Sequence, residues 1–69
     1  MIEVFKTNVK RKSDAGKIIA TLLQHFPSSK INFDLSDCDK ILRVEGEQLL
    51  TEKIMILVKE KGYDCDILE

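Results

Sequence analysis

The chain has 69 residues, 43% of them apolar and 33% charged, with a formal net charge of −1. That length allows one domain around one small core, and the near-neutral balance excludes a global pull toward nucleic acid or an anionic membrane. No run approaches the roughly 18 apolar residues of a membrane span. The start, Met1-Ile2-Glu3-Val4, is not a basic-then-apolar leader, and Cys38 and Cys65 lack any paired spacing, so they are expected to be reduced thiols of a cytoplasmic protein.

Residues 2–9 are rich in β-branched and aromatic types, which predicts a first strand. Phe5, Thr7 and Val9 fall on one face, and Ile2, Val4 and Lys6 on the other. Ser13 or Asp14 is the expected cap of a first helix, by accepting a hydrogen bond from an early amide. Ile18, Ile19, Leu22, Leu23 and Phe26 recur at steps of three and four, one helical face. Pro27 stops that helix, because proline has no amide hydrogen and clashes with the preceding turn.

Ile31, Phe33 and Leu35 alternate with Asn32 and Asp34, predicting a half-buried second strand. Ser36-Asp37-Cys38-Asp39 supplies turn chemistry, and residues 41–45 alternate as a third strand that Gly46 ends. Thr51 is the expected cap of a second helix, with Ile54, Leu57 and Val58 inward and Gly62 just past its end. Tyr63, Cys65 and Ile67 alternate with Asp64, Asp66 and Leu68 in a short last strand. The order βαββαβ predicts an α+β, ferredoxin-like two-layer sandwich: a four-stranded antiparallel sheet with both helices on one face. That topology puts Arg11, Asp14, Cys38 and Tyr63 at one end.

Several stretches carry a resemblance. They are Phe5-Lys6-Thr7-Asn8-Val9-Lys10, Asp34-Leu35-Ser36, Asp39-Lys40-Ile41-Leu42, Val44-Glu45-Gly46, Val58-Lys59 and Lys61-Gly62-Tyr63. With them the chain resembles, over its whole length, a heavy-metal-associated domain. That is the fold of small copper chaperones and of the N-terminal modules of metal-pumping ATPases, and short stand-alone bacterial members are especially similar. The resemblance implies a metal loop between the first strand and the first helix, with a Cys-x-x-Cys pair. This chain departs from it there and reads Arg11-Lys12-Ser13-Asp14.

The departure changes the chemistry. Two thiolates suit Cu(I), because soft sulfur does. Arginine has no lone pair to offer and is always charged, and Lys10 and Lys12 add to the repulsion of an incoming cation. Asp14 is one hard oxygen, and Cys38, in the hairpin turn, is the other weak metal candidate. Cys65 is expected as a small buried hydrophobe. It lies on the opposite edge of the sheet from the second strand, roughly 14 Å across at the usual strand spacing, too far for a disulfide or shared ion. No metal and no cofactor are expected.

The remaining candidates are modest. His25 sits beside the apolar stripe near a helix end, without companion ligands. Tyr63 is expected to roof the Arg11 turn. Lys10, Arg11 and Lys12 precede a helix N-terminus, a weak anion signal for which Asp14 would compete. No exposed aromatic pair suggests stacking on bases. The run Ile54-Met55-Ile56-Leu57-Val58 is apolar all round, so Met55 and Ile56 are expected partner contacts. Ile2, Val4 and Ile41 lie on the open sheet face. No nucleophile–base pair, paired carboxylates or glycine-rich loop signals an enzyme. The expected function is a small non-catalytic binding module. Lys10, Arg11, Lys12, Ser13 and Asp14 form its polar loop, Met55, Ile56 and Tyr63 its partner contacts, and another protein or a second copy is its partner. Copper or zinc binding through Asp14 and Cys38, and anion binding at Lys10 to Lys12, are the alternatives.

Overall fold

A computed structural model describes residues 1–68. Strand β1 covers Ile2–Thr7, helix α1 Lys12–His25, β2 Lys30–Asp34, β3 Ile41–Glu45, α2 Thr51–Glu60 and β4 Cys65–Ile67. The four strands form one antiparallel sheet in the order β2-β3-β1-β4. Each βαβ unit therefore steps over one strand of the other, the interleaving that the element order predicts.

The period-2 pattern sets the register. Phe5 pairs with Leu42 and with Ile67, and Val44 faces Ile31. Phe5, Leu42 and Val44 thus reach the helical side, where Ala15, Ile18 and Leu22 of α1 and Ile54, Leu57 and Val58 of α2 close the core. Val9 and Leu49, from connecting segments, are buried with them. The opposite sheet face holds Val4 and Ile41, half-buried, and Ile2, exposed. Arg43 and Glu45 form a 3.8 Å ion pair there, exposed and worth little.

Several element ends differ from expectation. Helix α1 is capped by Arg11 and α2 by Leu50, each in extended backbone with no side-chain cap bond. Ser13, Asp14 and Thr51 lie inside the first turns instead. Asp14 and Glu52 still favour those turns, because a carboxylate there meets the positive end of the helix dipole. Leu23, expected inside, is 37% exposed, and Ile19 is half-buried. Strand β4 is shorter than expected, and Ile67 is exposed. Gly62 behaves as read: its φ is +94°, and its amide donates to Lys59 O at 2.9 Å.

Cys65 is fully buried on β4. Burial pushes its thiol up to about 11, with Lys59 pulling the other way and Asp66 adding to the rise. The unfolded chain loses this proton from about pH 8.5–9, whereas the folded chain keeps it. Stability from this group is therefore full below that range and falls as pH rises toward 11. Between pH 7.5 and 10.5 the wild type should lose about 2 kcal/mol more than Cys65→Ala, read from urea midpoints in reductant. Equal losses in both proteins would contradict a buried, protonated thiol.

Candidate functional site

Three connections meet at the end of the sheet where β1 finishes. The Thr7 amide donates to Asp39 O at 3.1 Å. The buried Thr7 hydroxyl donates to Lys40 O at 2.6 Å and accepts from the Val9 amide at 3.3 Å. Losing one partner of such a buried bond costs about 1–3 kcal/mol, so Thr7 fixes the β2–β3 turn against the start of the β1–α1 loop. Asn8 fixes the other side: its Oδ1 accepts from the Asp64 amide at 2.9 Å, and its Nδ2 donates to Asp64 Oδ2 at 3.3 Å. The loops holding residues 8–11, 35–40 and 61–64 are thus tied into one surface, as the topology requires. No sequence signal beyond a polar residue at a strand end marks Thr7 and Asn8 for this role.

Within that surface Lys10, Arg11, Lys12 and Ser13 are exposed, while Asp14 and Tyr63 are half-buried. Partial burial of Tyr63 raises its phenol pKa, the Asp14 carboxylate facing it raises it further, and Arg11 opposes both. Asp14 and Arg11 thus both act on Tyr63, which packs on the edge of the core. The Arg11 carbonyl accepts from Ala15 N at 3.0 Å, so its backbone opens the helix while its side chain stays in solvent.

The two cysteines are both free, Cys38 exposed and Cys65 buried, on strands or turns belonging to opposite edges of the sheet. Cys38 has its own acidic neighbours: ligand atoms of Asp37, Cys38 and Asp39 lie within 4.8 Å of one another. Asp37 is partly committed, since its Oδ1 accepts from the Asp39 amide at 2.8 Å. The sequence offers Cys38 as a weak metal candidate, with Asp37 and Asp39 beside it only as turn chemistry. Asp14 faces Tyr63 and is no member of it. Among the described residues His25 joins no such group; it is exposed at the end of α1. Met55 is half-buried against the core, leaving Ile56, 52% exposed, as the apolar residue on the outer face of α2. No described helix is long and apolar enough to cross a membrane.

No family model matches the chain, and no curated protein matches it. Among solved structures it is similar to the yeast copper transporter domain Ccc2A, determined in solution in the apo and Cu(I)-loaded states. The two share 16% identity and a TM-score of 0.81, over 99% of this chain and 94% of that one. At that identity the likeness shows the fold, a compact ferredoxin-like α+β architecture shared with a copper-transporter domain.

Proposed function

We propose that this protein is a non-catalytic binding module built on the fold of a copper-transporter domain, with a cationic loop in the place of a thiolate pair. The observation that carries the reading is the Arg11–Asp14–Tyr63 group. At the mouth of α1, between the fixed ends of Thr7 and Asn8, a guanidinium and a carboxylate occupy the loop, and Lys10 and Lys12 flank them. An Arg side chain there repels a metal cation and is suited to bidentate recognition of a carboxylate on a partner. Exposed Ile56 supplies an apolar contact on α2.

A second reading rests on the Asp37–Cys38–Asp39 trio, one thiolate and two carboxylates in reach of one ion. Amide NMR of reduced protein separates the two. The binding-module reading expects no saturable shifts at residues 8–16 or 35–40 on addition of Cu(I) or Zn(II). Saturating shifts centred on 37–39 would transfer the proposal to the trio. Phosphate-dependent shifts confined to 10–16 would make the loop an anion site instead.

A further inference from the structure

We propose that the free edge of β2 pairs with the β2 edge of a second copy, joining two four-stranded sheets into one across a two-fold axis at Asn32. This stands apart from the loop reading, because β2 is a different surface. Among the described residues strand β2 pairs only with β3, so its outer edge is unpaired there. The phase of that edge follows from the ladder. Gly46 N–H donates to Met1 O at 2.9 Å, so Gly46, Val44 and Leu42 turn their backbone groups toward β1. Ile41, Arg43 and Glu45 then turn theirs toward β2, where they face Asp34, Asn32 and Lys30. The N–H and C=O groups of Ile31 and Phe33 are left pointing off the edge, ready to bond an added strand.

The sequence of this edge says which strand fits. Lys30-Ile31-Asn32-Phe33-Asp34 is self-complementary about Asn32. Antiparallel pairing there sets Ile31 opposite the Phe33 of a second copy, so both exchange their outward bonds. On the open sheet face it sets Lys30 opposite the second copy's Asp34, twice by symmetry. With Glu45 already beside Lys30, the charges alternate across the joined sheet, an arrangement that favours pairing. Both charged residues are exposed. On the helical side, a groove of about 450 Å³ lies between α1 and β2, lined by Ala15, Ile19, Phe33 and Leu35. Edge β4 contrasts with this. It is three residues long, and pairing about its centre would set Asp66 against Asp66, like charges that oppose it. The closed, isologous dimer is therefore built through β2.

The test is a mass measurement by light scattering across concentration at low salt, with hydrogen exchange at both ends of the series. The wild type should move from the single-chain 7.9 kDa toward twice that mass and no further. Ile31 and Phe33 amides should exchange fast when dilute and become protected when concentrated, and the wild-type phase makes this pattern specific. Lys30→Glu and Asp34→Lys should each weaken the dimer about tenfold or more by opposing like charges twice. Mixed one to one they should dimerise again, because each supplies the charge the other lacks. Rescue on mixing shows that both variants are folded. Ile56→Lys should leave the dimer constant unchanged. A single-chain mass at every concentration, growth beyond two chains, or a dimer broken by Ile56→Lys and untouched by the charge reversals would overturn the proposal.

Discussion

Phe5→Ala should leave the domain barely folded at room temperature. Phe5 is fully buried at the middle of β1, between Leu42 on β3 and Ile67 on β4. It heads the set of fully buried side chains by volume. Truncating a buried phenylalanine to alanine costs about 3–5 kcal/mol, because transfer energy is lost and the hole is only partly refilled. A 69-residue domain has a total stability of about 3–10 kcal/mol at typical values per residue. The loss therefore takes a third to all of the total. Thermal melting should show a midpoint lower by about 12 °C or more. Ile56→Ala, at an exposed site, should stay within about 0.5 kcal/mol of wild type. A Phe5→Ala protein that melts within a few degrees of wild type would mean that the core is centred elsewhere.

The second large effect is a gain. Arg11→Cys with Asp14→Cys should create tight Cu(I) binding at a loop where the wild type is expected to show none. Arg11 ends the extended loop at φ −101° and ψ 140°, and Asp14 lies three residues on in the first turn of α1. Thiols there sit at the positive end of the helix dipole, which favours the thiolate, and soft sulfur pairs suit Cu(I). The same change removes the guanidinium that opposes a cation. One equivalent should be held per chain, with an affinity several orders of magnitude above that of either single variant, since one thiolate alone forms half a site. Competition against a chromogenic Cu(I) chelator measures this. A double variant that binds no better than the singles would show that the loop lacks the geometry the fold suggests.

Much of this was legible in the chain. The alternation at Ile31–Leu35 and 41–45, the stop at Pro27 and the left-handed Gly62 together require βαββαβ, and the structure has it. The helix starts were less legible. Ser13, Asp14 and Thr51 carry capping chemistry, but the helices begin earlier, at residues that cap with backbone alone. Leu23 was misplaced because periodicity gives a face and not the width of the sheet beneath it. The loop's composition was readable, whereas the Thr7 and Asn8 ties depend on residues 33 and 56 positions away, which no local pattern encodes. Asp37 and Asp39 read as a turn because they are one, and their convergence with Cys38 is visible only in three dimensions.

That the Arg11 loop binds without metal is tested most directly by native mass spectrometry. Reduced wild-type protein is mixed with one equivalent of Cu(I), or of Zn(II), and then challenged with a mild chelator, with Asp14→Ala and Cys38→Ser treated alongside. The wild type should return to its metal-free mass, and neither variant should differ from it. A wild type that keeps one ion through the challenge, and loses it in Asp14→Ala or Cys38→Ser, would contradict that expectation.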